Sequence, residues 1–173
     1  MMIGGEAVDP IVTLSEAQAF TRVETGQEEA LLGGLVRSAS ALCEAFLGQV
    51  VIARSFVEEV AATCEWQRLK SLPVRSIDGV SSGGLPLPPT AFATDIDASG
   101  CGWVRVTDPA TTGTVTINGS AGMALSQNGI PEPIRQGVLR LVAHLFAARD
   151  DGGGEMPAAV TALWRPYRRM RLA

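Results

Sequence analysis

The stretch that decides the fold is Gln27–Gly48, with the sequence QEEALLGGLVRSASALCEAFLG. Its apolar residues recur every three or four positions, which is the spacing of an amphipathic helix. They form two adjacent stripes, one of Leu31, Leu35, Ala39, Leu42 and Phe46, the other of Leu32, Val36, Cys43 and Leu47. We therefore predict a helix over 27–47 whose broad apolar face is covered by another helix.

The ends of this helix carry stop and start signals. Thr25 followed by Glu28 matches a capping box, and Gly48 is a favourable C-terminal stop. Gly33 and Gly34 each cost about 1 kcal/mol relative to Ala inside a helix. We therefore expect another backbone to pass close to these two glycines.

Two further helices are predicted, one near each end of the chain. A short one over 14–22 begins with the capping box of Thr13 and Glu16. The other, over 131–148, begins with prolines in its first turn and carries an apolar stripe of Ile134, Val138, Leu141 and Leu145. We expect this stripe to pack against Leu31, Leu35, Leu42 and Phe46.

The region 50–118 lies between these helices and has strand character. Val50–Thr63 alternates and is predicted to form a hairpin with Glu65–Leu69. Other predicted strands are Val74–Val80, Thr114–Asn118 and the hairpin of Phe92–Asp97 with Trp103–Thr107. Ser81–Pro89, with the sequence SSGGLPLPP, is predicted to be a loop without regular structure.

This order predicts an α+β fold, with a helical bundle core and an inserted antiparallel β-hairpin or small sheet. The helix pair near the N-terminus and the helices near the C-terminus form the predicted core. We divide the chain into a flexible arm over 1–12, a single domain over 13–149, and a linker with a C-terminal docking helix and tail over 150–173.

Composition narrows the range of functions. The net charge of −4 over 173 residues argues against extensive binding to nucleic acid. No apolar run reaches the length needed to span a bilayer, and MMIGGEAVDP lacks the features of a signal peptide, so no membrane contact is expected. Cys43, Cys64 and Cys101 are odd in number and widely spaced, which is typical of reduced thiols in the cytoplasm.

The sequence offers no recognisable catalytic set. It has no phosphate-binding glycine motif, and His144 is its only histidine, more typical of a helix flank than of a base or ligand. Asp95 and Asp97 are interpreted as a solvated strand edge beside a turn. Asp150, Asp151 and Glu155 match no calcium loop. We therefore expect no catalytic, cofactor-binding or metal-binding residues.

The C-terminal segment WRPYRRMRLA is chemically unusual because it concentrates arginines and aromatic residues. Arginine pairs with carboxylates, and aromatic side chains are costly to leave in water. We predict that the segment is mobile in the free protein and docks on a partner through Trp164, Arg165, Tyr167, Arg168, Arg169, Arg171 and Leu172. A solvated basic tail and a phosphate-contacting tail are the alternatives.

Several short motifs occur in an order that resembles the head–tail connector (adaptor) proteins of long-tailed phages and gene transfer agents. The resemblance covers nearly the whole chain and lies in Leu14–Val23, Phe46–Gly48, Trp66–Leu69, Leu72–Ile77, Pro131–Val138, Leu141–Phe146 with Arg149, and Pro157–Leu172. The last motif is similar to the branch of gene transfer agents and alphaproteobacterial prophages. Ser81–Pro89 and Cys101 depart from the family pattern.

The resemblance implies a structural protein of the virion and not an enzyme. Such a protein forms a ring, dodecameric in the particle, that binds the portal protein and the tail stopper, while DNA passes through its channel without sequence-specific contacts. It would assemble in the bacterial cytoplasm and then reside in the particle neck. The alternatives are a small α+β enzyme or ligand-binding domain using the 81–89 loop, and an arginine-tailed accessory protein that binds nucleic acid.

Overall fold

The computed structural model describes residues 9–23, 26, 28–148 and 155–169. Its helices are α1 (Leu14–Thr21), α2 (Glu29–Leu47), α3 (Glu132–Ala147) and α4 (Ala158–Trp164). Its strands are β1 (Arg54–Ala61), β2 (Gln67–Arg68), β3 (Val74–Ser82), β4 (Leu85–Pro86), β5 (Phe92–Ile96), β6 (Gly102–Val106) and β7 (Thr114–Ala121). The predicted α+β class is confirmed.

The described chain divides into two compact units. Ala53–Met123 carries the seven strands, and it interrupts a helical unit built from residues on either side of it in the sequence. The β unit therefore enters the chain as an insertion between α2 and α3, which agrees with the predicted order of elements.

Helix α1 begins with the predicted capping box. The Thr13 amide donates to Glu16 Oε2 at 2.8 Å, and the Glu16 amide donates to Thr13 Oγ1 at 3.2 Å. The Glu16 carboxylate also pairs with Arg135 of α3. These contacts satisfy exposed donors at the helix start and connect α1 to α3.

Helix α2 packs mainly through the second of its two apolar stripes, so the predicted packing of Leu31 and Leu42 against α3 was wrong. Its buried residues are Leu32, Val36, Ala39, Ser40, Cys43 and Leu47, whereas Leu31 and Leu42 are each 43% exposed. The two stripes are adjacent and similarly apolar, so periodicity alone does not decide which one faces the core. The buried Ser40 hydroxyl donates to Val36 O and accepts from the Ile11 amide.

The C-terminal end of α2 agrees with the sequence. The stop at Gly48 is confirmed, with φ at +65°. The helix begins after Glu28, which makes no side-chain capping bond, and Thr25 lies outside the described residues. A Cβ at Gly33 or Gly34 would meet only the Arg37 guanidinium, at 3.7 and 4.0 Å. The predicted close backbone is therefore absent from the described part of this chain.

Helix α3 largely fulfils its prediction. Ile134, Val138 and Leu141 are buried and Leu145 is half-buried. The helix begins after Pro131, whose missing amide proton costs nothing at a helix start. It covers α2, although through the α2 face described above.

The β unit contains two antiparallel sheets, in the orders β1–β7–β3–β4 and β2–β6–β5. The predicted hairpin of β5 with β6 is confirmed, and β3 contains the predicted Val74–Val80. Strand β7 lies between β1 and β3 with alternate residues buried. Strand β1 is shorter than predicted, beginning at Arg54 and ending at Ala61.

Two predictions for the β unit were wrong. Gln67–Arg68 pairs with β6 and not with β1, because Gln67 lies opposite Val104. The segment 81–89 is also not a simple loop. Strand β3 continues to Ser82, Gly83 and Gly84 turn at positive φ, and Leu85–Pro86 pairs back. The turn residues were recognised in the sequence, but the short hairpin that they form was not.

By length and composition alone, helix α2 is long and apolar enough to cross a membrane, contrary to the expectation that no apolar run reaches that length. Core helices of soluble proteins meet the same criterion. Only 33% of the most apolar window of α2 is buried inside the protein.

Candidate partner-binding surface

The C-terminal segment that the sequence singles out is held on its own unit as far as Arg169. Helix α4 begins after Pro157, as predicted, and ends at Trp164. A short 3-10 turn over Arg165–Tyr167 follows. The predicted mobility is therefore wrong for 157–169, and the remaining residues of the tail lie outside the described residues.

Trp164 anchors this segment in the helical core. Its side chain is 0% exposed, and its indole Nε1 donates to the Ile134 carbonyl at 3.1 Å. The ring lies over Gly137, where a Cβ would be 2.1 Å from Nε1. The indole therefore satisfies its one polar atom while burying a large apolar surface. Trp164 is thus a core residue and is not exposed for a partner, contrary to the prediction.

A second layer joins Trp164 to the end of α2. The rings of Phe46 and Trp164 lie 5.8 Å apart between centroids, at 51° to each other. The Arg168 guanidinium lies 5.3 Å from the centroid of Phe46, within range of a cation–π contact. We call Phe46, Trp164 and Arg168 the C-terminal clamp. The clamp covers part of the Phe46 side chain, which stays partly exposed in the protein.

Backbone contacts close the clamp. The Arg169 amide donates to Leu47 O at 3.0 Å, and Gln49 Nε2 donates to Tyr167 O at 2.7 Å. The first bond satisfies one of the carbonyls left over at the end of α2. A helix C-terminus carries partial negative charge, so arginines close to it are also favoured electrostatically.

The clamp determines which predicted contact residues face outward. Arg165 and Arg168 are exposed, and Tyr167 and Arg169 are partly so. Arg171 and Leu172 lie outside the described residues. The structure thus separates the predicted set into a buried anchor and an exposed basic surface. We call Arg165 and Arg168 the basic surface of the segment.

The carboxylates that the sequence raised as a catalytic pair have different surroundings. Asp97 closes a turn: its Oδ1 accepts from the Ser99 amide at 2.8 Å and the Cys101 amide at 3.0 Å, and its Oδ2 accepts from the Trp103 indole at 3.2 Å. The Ser99 hydroxyl and these donors hold the pKa of Asp97 well below its usual range. Asp95 is exposed on β5. The arrangement stabilises a turn and keeps the Asp97 carboxyl ionised, so Asp97 is not suited to act as a general acid.

The other candidate groups are also dispersed. Burial, with the nearby Glu44 charge, raises the pKa of the Cys43 thiol, which makes it a poor nucleophile. Cys101 is buried and Cys64 is exposed, and neither forms a disulfide. His144 is half-buried, and its Nε2 has no hydrogen-bond partner among the described residues.

No group of three or more potential metal ligands occurs within the described ranges. Asp150 and Asp151 lie outside those ranges, and Glu155 is exposed.

The solved structures that this chain resembles come from one kind of assembly. No protein-family model matches the chain, and no curated protein matches it. The chain is similar over its whole length to a chain in the neck of an empty GTA particle computed with C6 symmetry, at 25% identity, TM-score 0.77 and 98% coverage of that chain. A chain in the virion of a native gene transfer agent (GTA) particle matches with 24% identity over 100% of this chain and 98% of that one, at TM-score 0.77.

A further match is a chain in the neck of a native GTA particle computed with C12 symmetry. Its identity is 24%, its TM-score is 0.72, and the match covers 100% of this chain and 98% of that chain. The chain therefore has the fold of a neck component of GTA particles, and these likenesses support a structural role of the neck or connector type.

Proposed function

We propose that this protein is a head–tail connector (adaptor) of a phage-like particle, which forms a ring under the portal protein and links the capsid to the tail stopper. The observation that carries the proposal is the full-length likeness to neck chains of GTA particles. Those particles were computed with C6 and C12 symmetry, which supports self-association into a ring. DNA would pass through the central channel without sequence-specific contacts.

The basic surface is the proposed contact with the portal protein or a neighbouring subunit. Arg165 and Arg168 project from a segment that Trp164 holds in the core. A rigid support lowers the entropy lost on docking, and arginine forms two hydrogen bonds with a carboxylate. Tyr167 and Arg169, together with Arg171 and Leu172 of the terminal residues, complete the proposed contact set.

In this proposal the protein is not an enzyme. The features that support a structural role are the turn-bound Asp97, the buried Cys43 with its raised pKa, and the likeness to virion components. The helical unit would form the body of the subunit. Assembly would take place in the bacterial cytoplasm, and the protein would then remain in the neck of the particle.

The test is removal of the protein from a strain that produces the particle. We expect DNA-filled heads and free tails to accumulate unjoined, as counted by electron microscopy, and we expect the protein supplied in trans to restore joined particles. Antibody labelling should place the restored protein between head and tail. Joined particles at normal yield without the protein would exclude the adaptor function.

A DNA-binding accessory protein is the alternative that the arginines raise. Phosphate binding weakens steeply as salt increases, because counterions are released on binding. A titration of the purified protein with double-stranded DNA at increasing salt separates the two functions. Tight, salt-sensitive binding would favour the accessory protein, whereas an adaptor should bind DNA weakly.

A further inference from the structure

The side of α2 that faces away from the helical core has an unusual composition. We define the outer face of α2 as the residues pointing away from the buried stripe: Leu31, Gly34, Ser38, Ala41, Leu42 and Ala45. Five of the six are exposed and Gly34 is partly so. No charged side chain belongs to this face, although a solvated helix face normally carries several.

The exposed area is too apolar for a helix face that simply meets water. Leu31 and Leu42 are each 43% exposed, and the residues of the face recur along 31–45 of the helix. Over its 19 residues the helix is about 28 Å long, so the face is a continuous strip and not an isolated leucine. Extended apolar strips of this kind mark contact surfaces.

The glycines give a second and independent observation. Gly33 and Gly34 both disfavour a helix relative to alanine. Nothing within the described residues requires them, because a Cβ at either position would meet only the Arg37 guanidinium at ordinary contact distance. Gly34 lies on the outer face, between Leu31 and Ser38. A helix that retains a glycine there allows the backbone of another molecule to approach closely.

We propose that the outer face of α2 is the surface through which each subunit contacts a neighbouring copy of this chain in the ring. The inference rests on the proposed adaptor function. The similar neck chains belong to particles computed with sixfold and twelvefold symmetry, so copies recur around an axis. In a cyclic ring every subunit offers one surface to the copy on one side and a different surface to the copy on the other.

The chemistry of the face fits a permanent protein contact better than the other occupants. DNA needs clustered positive charge, and this face has none. A standard interface buries about 800 Å² on each partner, with an apolar centre and a polar rim. The outer face of α2 has the composition of such a centre, and the exposed Arg37 beside it belongs to the rim.

The direct test is photo-crosslinking within assembled particles. A photoreactive phenylalanine analogue replaces Ser38, and the protein is supplied in trans to the deletion strain. Illumination of purified particles should give an adduct with twice the mass of the chain, identified as two copies by mass spectrometry. An adduct with a different protein, or no adduct in particles that contain the protein, would overturn the inference. Absence of the wild-type protein from particles would instead overturn the adaptor function itself.

A matched pair of variants tests the consequence for assembly. Ala41→Arg places a charge in the centre of the face, whereas Ala19→Arg makes the same change at an exposed position of α1. Circular dichroism should show that both fold, because both positions are exposed. We expect Ala41→Arg to reduce joined particles at least tenfold and Ala19→Arg to leave them unchanged. Equal yields for the two variants would overturn the inference while leaving the adaptor function intact.

Discussion

Trp164 and Gly137 fit together so closely that no methyl group can be placed between them. A Cβ at position 137 would lie 2.1 Å from the indole Nε1, which itself donates to the carbonyl of Ile134. The glycine thus forms the notch in α3 that admits the tryptophan of α4. This contact fixes the C-terminal segment and, through Phe46 and Arg168, the position of the basic surface.

The first prediction concerns this notch. Gly137→Ala should lower the free energy of unfolding by about 1–3 kcal/mol, because the indole must move away from its hydrogen bond. Gly34→Ala is the control: its Cβ would meet only Arg37 at 4.0 Å, so the free chain should gain up to about 1 kcal/mol. Urea denaturation followed by tryptophan fluorescence measures both. A Gly137→Ala protein as stable as the wild type would show that the notch does not hold Trp164.

The second prediction separates the two apolar stripes of α2. Leu32 is fully buried, so Leu32→Ala should cost about 2–5 kcal/mol. Leu42 is 43% exposed, so Leu42→Ala should change the unfolding free energy of the free chain by less than about 0.5 kcal/mol. Thermal unfolding of the two variants compares the same substitution on the two faces. A larger loss of stability from Leu42→Ala than from Leu32→Ala would instead support the packing that the sequence predicted.

The sequence predicted the presence of α2 and its C-terminal end better than the face that the helix buries. Capping signals fixed the start of α1 and the glycine fixed the end of α2, because these depend on a few neighbouring residues. The direction of the buried face depends on which apolar stripe the remainder of the chain covers, and both stripes qualify. An apolar stripe that contacts a neighbouring molecule has the same residue spacing as one that packs in the core.

The candidate site was predicted in part for a similar reason. The composition of Trp164–Leu172 identified the segment, but it did not separate Trp164, which enters the core, from Arg165 and Arg168, which remain outside. The feature of the sequence that marks Trp164 as a core residue is Gly137, a glycine within a helix that leaves room for an aromatic side chain. Only the fold shows that these two positions, distant in sequence, meet.

The third prediction concerns truncation. Ending the chain at Pro157 removes α4 and Trp164, and we expect a marked fall in melting temperature. Loss of a buried tryptophan alone costs about 3–5 kcal/mol when it is replaced by alanine. Trp164→Phe should be milder, because it retains much of the ring packing and loses the bond to Ile134. A truncated chain with an unchanged melting temperature would show that the segment does not contribute to the core.

The fourth prediction concerns acid. The hydrogen bond from the Thr13 backbone amide lowers the pKa of Glu16, and the Thr13 hydroxyl and the Arg135 charge lower it further. A lowered folded-state pKa gives stability above the ordinary glutamate pKa, and this stability is lost as the pH falls through the folded-state value. Glu16→Gln should therefore be less stable than the wild type at neutral pH by about 1 kcal/mol or less, because the carboxylate is partly exposed. Urea denaturation should show this difference vanishing in acid, and a difference that persists would assign it to packing.

The last prediction concerns the basic surface. Arg165→Gln with Arg168→Gln removes two outward charges while leaving Trp164 in place. The free chain should lose at most about 1 kcal/mol, from the Arg168 contact with Phe46. If the surface docks on the portal protein, binding to purified portal should weaken and become less sensitive to salt, because charge pairs at an interface are screened by ions.

The control for this variant removes two exposed arginines elsewhere, by Arg22→Gln with Arg140→Gln. Both double variants change the net charge equally, so a general electrostatic effect would weaken them alike. If docking depends on this particular surface, only the variant that lacks Arg165 and Arg168 should bind the portal protein more weakly. The yield of joined particles should fall in the same variant. If both doubles retained wild-type binding and salt dependence, these arginines would be solvated charges, and the portal contact would have to lie on another surface of the subunit.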